Sequence, residues 1–135
     1  MKVVAAIIEN EKNEILCALR SPSMAIPNRW EFPGGKVEKD EDIYTALERE
    51  IEEELDCTIQ TIALHNDSIH EYDTFIIHLI AIKSKIVEGT PVAKEHSKLL
   101  WLKRENLDSL KWAPADIPAV ELLVEEIIGE SRGRF

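Results

Sequence analysis

The chain has little of what special architectures need. Five glycines and six prolines among 135 residues leave no low-complexity segment, and 44% hydrophobic residues suffice for one ordinary core, so a second domain is not required. Its two cysteines, Cys17 and Cys57, lack metal or redox spacing and read as reduced thiols, at least one of them buried. Long apolar runs are missing too. The stretch Val3 to Ile8 is cut short by Glu9, Asn10, Glu11 and Lys12, far below the roughly 20 residues of a membrane span. It reads as a first strand rather than a signal peptide, which places the protein in the cytoplasm. Basic residues are outnumbered, 16 against 26 acidic, for a net charge of -10. Such a surface repels polyanions, which excludes polymeric nucleic acid and anionic membranes as partners. A polyphosphate substrate would need a divalent cation and local Arg or Lys to overcome that field.

Hydrophobic patterning gives a mixed α/β domain with about six strands and two main helices. Val3 to Ile8 and Ile15 to Arg20 read as a hairpin around Glu9 to Glu14, and Ser21 to Arg29 as a loop. Trp30-Glu31-Phe32 is short and extended, and Pro33-Gly34-Gly35 reads as a turn in which paired glycines allow positive φ and close approach of the backbone to a ligand. A helix starts at Asp40 to Asp42 and buries Ile43, Leu47, Ile51 and Leu55 before ending near Asp56. Thr58 to His70 and Thr74 to Ile86 are long strands and Leu99 to Lys103 a shorter one. Arg104 to Leu110 is a turn or short helical piece, and Ile117 to Ile128 a terminal helix stopped by Gly129. Residues 1–129 are expected to form a single domain and 130–135 a frayed tail.

Between Glu48 and Asp56 the first helix carries five glutamates and an aspartate in nine residues. Glu50, Glu53 and Glu54 follow the i, i+3, i+4 spacing, so they share about one third of the helix circumference and their carboxylates can converge. Glu54 also lies seven residues after Leu47, at the edge of the apolar stripe. Glu48 and Glu52 point elsewhere. Like charges at this spacing, near a helix C-terminus, each cost some tenths of a kcal/mol. A hard cation offsets both terms, and an all-carboxylate set without His or Cys suits Mg²⁺ or Mn²⁺ better than Zn²⁺. A solvated acidic face would explain neither the Gly-Gly segment ahead of the helix nor the placement of Glu54.

Gly35, Glu41, Arg49, Glu50, Ile51, Glu53 and Glu54 match the Nudix box, so the chain resembles the Nudix hydrolase family. Asp56 and Cys57 replace the box's final glycine and aliphatic residue; Asp tolerates the left-handed conformation at modest cost. The resemblance implies a Nudix fold, an α/β/α sandwich around a mixed sheet. It implies Mg²⁺ as cofactor, held by Glu50, Glu53 and Glu54 with the backbone carbonyl of Gly34. Arg49 would orient a glutamate by a bidentate ion pair, and Glu41 would be structural or auxiliary. The implied chemistry is attack of water at phosphorus with metal assistance.

Trp30 to Lys36 and Ala113-Pro114-Ala115-Asp116-Ile117-Pro118 are similar to the MutT branch, which cleaves nucleoside triphosphates to monophosphate and pyrophosphate. That similarity assigns Glu31, Phe32, Pro33, Gly34, Lys36, Arg20, Tyr72 and Asp116 to substrate binding, with Arg20 and Lys36 on phosphates. Either cation alone also reads as ordinary surface charge. Glu95 stands where such enzymes carry a further glutamate that binds metal or takes a proton; a solvated loop acid is an equal reading. His96 reads as a plain loop histidine. Trp30, Phe32 and Tyr72 are walls for a base or simply core, and Trp101 and Trp112 are packing residues.

Asp116 bears on the base. An ionised carboxylate only accepts hydrogen bonds and so suits the amino group of cytosine, whereas a protonated one could also donate. As a plain helix N-cap it would serve Pro118 and the helix beyond. The expectation is a pyrophosphohydrolase of CTP or modified dCTP that sanitises the nucleotide pool, acting as a monomer or homodimer. Its rivals are an 8-oxo-dGTP diphosphatase and, more distantly, a hydrolase of nucleotide sugars or ADP-ribose. A non-catalytic nucleotide-binding module has little use for three crowded carboxylates.

Overall fold

The computed structural model describes residues 1–133, with side chains as far as Glu126. Its strands are β1 (Lys2–Ile8), β2 (Glu14–Leu19), β3 (Trp30–Glu31), β4 (Gly34–Lys36), β5 (Thr58–Glu71), β6 (Ile76–Glu88) and β7 (Lys98–Lys103). Helix α1 spans Ile43–Leu55 and α2 Ile117–Gly133, and Arg104–Ser109 and Pro114–Asp116 form 3-10 turns.

β1 is apolar on both faces because it is covered on both faces. Val4, Ala6 and Ile8 pack with Ile80, Ile82 and the α1 residues Ala46, Leu47, Ile51 and Leu55. Ala5 and Ile7 pack on the other side with Leu79, Ala81 and the α2 residues Ala119, Val120 and Leu123. The two helices therefore sandwich the sheet, as the α/β/α expectation requires. β1 pairs with β6 in parallel, Lys2 opposite His78 through Ile8 opposite Ser84, and with β4 antiparallel. The resulting mixed sheet has the order β4-β1-β6-β5, and a second, antiparallel sheet has the order β3-β2-β7.

Three expectations are corrected. β1 and β2 do not form a hairpin ladder; apart from a single bridge between Glu9 and Ile15 they belong to different sheets. Both edges of β1 are already taken, by β6 and β4. The Gly34-Gly35 pair is not a turn at positive φ but part of β4, and the only glycine at positive φ among the described residues is Gly89. What these glycines supply is closeness. A Cβ on Gly34 would overlap the Val4 carbonyl oxygen and stand 2.8 Å from Ala5 Cα. Finally, α2 runs through Gly129 to Gly133, since a glycine within a helix weakens it by about 1 kcal/mol without forcing a stop. Residues 130–133 thus belong to the helix, and 134–135 of the expected tail lie outside the described residues. No helix among the described residues is long and apolar enough to cross a membrane.

Local chemistry sets the ends of α1. The Asp42 side chain accepts from the backbone N–H of Tyr44 and of Thr45, both at 3.1 Å, and closes the N-terminus. At the other end Asp56 takes the left-handed conformation, φ 55°, and its N–H bonds to the Glu52 carbonyl. Lys94 Nζ sits 2.6 Å from Asp56 Oδ1 and 3.3 Å from the Glu53 carbonyl oxygen, a cation at the negative end of the helix.

The contact at Gly34 is backbone on backbone and cannot relax by side-chain rotation. Gly34→Ala should therefore destabilise the protein by about 2 kcal/mol or more, read as a lower urea midpoint at unchanged slope. Gly35→Ala, which meets a side chain instead, should cost less stability.

Candidate active site

The acidic residues of α1 are sorted by what surrounds them. Arg49 forms a bidentate pair with Glu41, Nε to Oε2 and Nη2 to Oε1, both at 2.8 Å. Its Nη1 reaches Glu50 Oε1 at 3.0 Å and Glu53 Oε2 at 3.3 Å, and Nη2 reaches the Lys36 carbonyl at 3.3 Å. The guanidinium holds the Glu41 carboxyl down at about 2, through hydrogen bonds first. Glu50 lies over Gly35, where a Cβ would overlap its carboxylate. Burial pushes Glu50 up despite the arginine.

Glu54 turns inward. Its Oε2 is buried without a hydrogen-bond partner. Burial raises its carboxyl to about 7, the charges of Glu50, Glu31 and Glu95 add to this, and His96 opposes it. The sequence expectation that Glu50, Glu53 and Glu54 converge is met only in part. Among the described residues no three His, Cys, Asp or Glu side chains meet closely enough to enclose an ion. Arg49 draws Glu50 and Glu53 to one side while Glu54 points to the interior. The donor set nevertheless fits a hard divalent cation: all ligating atoms are oxygen, one is buried and unpartnered, and Gly35 leaves space for the Glu50 carboxylate.

A cavity of about 370 Å³ adjoins this cluster. Its wall includes Gly34, Gly35, Lys36 and Glu54 together with Arg20, Glu31, Phe32, Tyr72 and Asp116. One cavity thus joins the acidic helix to the segment expected to read the base. Phe32 is fixed against Trp112, ring centroids 4.8 Å apart, and the Tyr72 hydroxyl accepts from Ala115 N–H. Lys36 is exposed at the wall.

Other expected residues fall elsewhere. Pro33 is fully buried away from the cavity wall, and its carbonyl accepts from Ala6 N–H at 2.8 Å. Trp30 packs in the core on the α2 side. Glu95 is exposed, felt by Glu54 only through its charge. His96, read as a plain loop residue, is buried, with Nε2 2.7 Å from Glu31 Oε2. The carboxylate of Glu31 is itself occupied, Oε1 by Arg20 at 2.6 Å and Oε2 by His96.

Asp116 is not an N-cap. It is 5% exposed, and its Oδ1 accepts from Phe32 N–H at 3.1 Å. Burial, followed by the charge of Glu31, lifts its carboxyl well above the usual range, the direction of the protonated alternative. Sequence reasoning missed Met24, Ala25, Ile26 and Phe75, which also line the cavity. Ile26 has positive φ, 53°, an unusual conformation for a β-branched residue that hydropathy does not signal.

The NUDIX domain family model matches residues 1–123, and the chain belongs to this family of hydrolases. It is 42% identical to the CTP pyrophosphohydrolase of Escherichia coli K12 over 124 residues, 90% of this chain and 89% of the relative. It is 32% identical to the 8-oxo-dGTP diphosphatase of the same organism over 123 residues, covering 91% and 95%. The solution structure of a MutT protein of methicillin-resistant Staphylococcus aureus 252 superposes with a TM-score of 0.76 at 46% identity, covering 93% and 96%. Hydrolases of this family generally use a divalent metal ion.

Raised carboxyls have a signature in the metal-free protein. Between about 4.5 and about 7 the folded state keeps a proton on Glu54 that the unfolded chain has released, so stability should fall as pH rises through that window. Glu50 and Asp116 act in the same direction. Urea unfolding in chelator at pH 5 and pH 8 should show this fall, and Glu54→Gln should reduce it. An equal fall in the variant would mean that Glu54 is not the group responsible.

Proposed function

We propose that this Nudix hydrolase is an Mg²⁺-dependent nucleoside triphosphate pyrophosphohydrolase, with Mn²⁺ able to substitute, that prefers CTP or modified dCTP and sanitises the cytoplasmic nucleotide pool. Residues 1–129 would act as one catalytic domain. The observation that carries the reading is the single cavity whose wall includes both Glu54 and the buried Asp116.

Glu50, Glu53 and Glu54, with the Gly34 carbonyl and Glu95, would hold the ion. When bound, it would neutralise phosphate oxygens and make a water more acidic. Arg49 keeps Glu41 and Glu50 in fixed rotamers, and Glu53, Glu54 and Glu95 are the candidates to receive the proton of the attacking water. Glu54 suits that task, because burial brings its carboxyl near neutrality. Arg20 and Lys36 supply the local positive charge that a chain of net charge -10 needs for a polyphosphate. Phe32 and Tyr72 flank the base. Glu31 and Pro33, whose polar groups are engaged within the protein, support the wall rather than touch the substrate.

A neutral Asp116 offers one donor and one acceptor, the complement of cytosine N3 and its amino group. Guanine also presents an acceptor beside a donor, O6 and N1–H, so this pairing admits both bases and the preference for cytosine needs a second support. The 42% identity to a CTP pyrophosphohydrolase supports the same preference. A second reading follows from the same neutrality, because the oxidised edge of 8-oxoguanine, O6 beside N7–H, also presents one acceptor and one donor.

Pyrophosphate release from CTP, 5-methyl-dCTP and 8-oxo-dGTP with Mg²⁺ separates the readings. Cytosine nucleotides should lead in kcat/KM by about tenfold or more; a wide lead for 8-oxo-dGTP would overturn the reading of Asp116 and leave the chemistry standing. Asp116→Asn, which keeps one donor and one acceptor, should retain the base preference, and Asp116→Ala should lose it. Glu54→Gln should lower kcat by about 10³-fold with the fold intact.

A further inference from the structure

Among the described residues, His96 is a buried titratable side chain, bonded to Glu31 on the cavity wall, that the proposed chemistry does not use. Only 1% of its side chain is exposed. Nε2 is 2.7 Å from Glu31 Oε2, and Nδ1 is buried without a hydrogen-bond partner. Glu31, already ion-paired with Arg20, is an acceptor, so Nε2 carries the proton and donates. The other Glu31 oxygen accepts from Arg20 Nη1 at 2.6 Å, and Arg20 Nε donates to the Ala25 carbonyl at 2.7 Å. Three side chains thus run in one hydrogen-bonded line from the segment that carries Glu95 to the loop that carries Met24, Ala25 and Ile26.

Both ends of that line are tethered. On the His96 side, Val92 N–H donates to the Leu55 carbonyl, Lys94 pairs with Asp56, and Ser97 N–H donates to the Leu19 carbonyl. On the Arg20 side, Arg20 N–H donates to the Arg29 carbonyl and Asn28 N–H to the Arg20 carbonyl. Within the described residues the second terminal nitrogen of Arg20 has no hydrogen bond, and the residue lies on the cavity wall. Glu31 is the only bridge in this line between Arg20 and His96, and without a donor at His96 one of its oxygens would be left half-buried and unpaired.

We propose that His96 is a positioning residue for substrate binding: its Nε2–H fixes the Glu31 carboxylate, which fixes Arg20 with one nitrogen free toward the triphosphate. The proposal rests on reading the cavity as a nucleoside triphosphate site. The histidine touches no reacting atom. Its contribution is to hold the Arg20 cation in place, while the Glu95 segment keeps its own tethers, so its loss acts on KM before kcat.

Glutamine and asparagine separate this role from mere filling of space. A Gln amide nitrogen reaches about as far as histidine Nε2, whereas that of Asn reaches only as far as Nδ1. His96→Gln should keep KM for the preferred triphosphate within about threefold of the parent, and His96→Asn and His96→Leu should raise it about tenfold, with kcat changed less than threefold in all three. If Gln and Asn behave alike, or if kcat falls while KM stands, the positioning role is wrong. Thermal melting checks that the variants fold, and where the Leu variant does not, the Gln and Asn pair decides. On a Glu31→Ala background, His96→Asn should add nothing further, and full additivity would overturn the relay.

A readout independent of turnover keeps the two readings apart. In a ¹H–¹⁵N spectrum the Arg20 Nε–H signal, assigned by its disappearance in Arg20→Lys, should persist in His96→Gln and shift or broaden in His96→Asn. An unchanged signal in both overturns the relay. If the parent protein hydrolyses no nucleoside triphosphate, the functional reading fails, and the Arg20 signal still reports on the relay.

Discussion

The carboxylate of Glu50 lies against the backbone of Gly35, in the volume that a Cβ would take, while Gly34 lies equally close to Val4 on the neighbouring strand. This double close approach brings β4 into the edge of the mixed sheet and α1 down onto it. Ile51, Leu47 and Leu55 then seal the helix against β1 and β6. A helix so placed cannot choose which of its acids face inward: the register that buries Leu47 and Leu55 also carries Glu54 into the interior and leaves Glu52 and Glu53 outside. The buried apolar stripe, rather than any affinity among the acids, distributes the carboxylates.

In and beside the cavity the acids stand in three conditions. Glu41 is held ionised by Arg49, Glu54 is brought near neutrality by burial, and burial beside Glu31 lifts the Asp116 carboxyl well above its ordinary range. Carboxyl groups of one intrinsic acidity are thus set apart by the cation or the loss of water at each position. In a chain of net charge -10, two cations stand directly among these acids, Arg49 with the α1 glutamates and Arg20 beside Glu31.

The helices and long strands were legible in the sequence because their signals are local. Ile43, Leu47, Ile51 and Leu55 announce one face of α1, and Val3 to Ile8 announces a strand buried on both sides. The pairing of β1 with β6 across more than seventy residues carries no such signal, and neither does the separation of β1 from β2. The acidic set could be read from spacing, but its directions could not, since they depend on where Arg49 and the core draw each carboxylate. His96 shows the limit most clearly. A single histidine in a polar segment has no periodicity, and only the fold brings it to Glu31.

At the end of α1, Asp56 occupies the left-handed position where the Nudix box has glycine, and Lys94 reaches across to it. Backbone conformation and charge are joined there in one residue. With glycine at 56, a lysine at position 94 would keep only the Glu53 carbonyl at the helix terminus as its partner. The two positions are coupled physically: without Asp56 the lysine loses its carboxylate, and without Lys94 an unpaired acid stands at the negative end of a helix already crowded with acids.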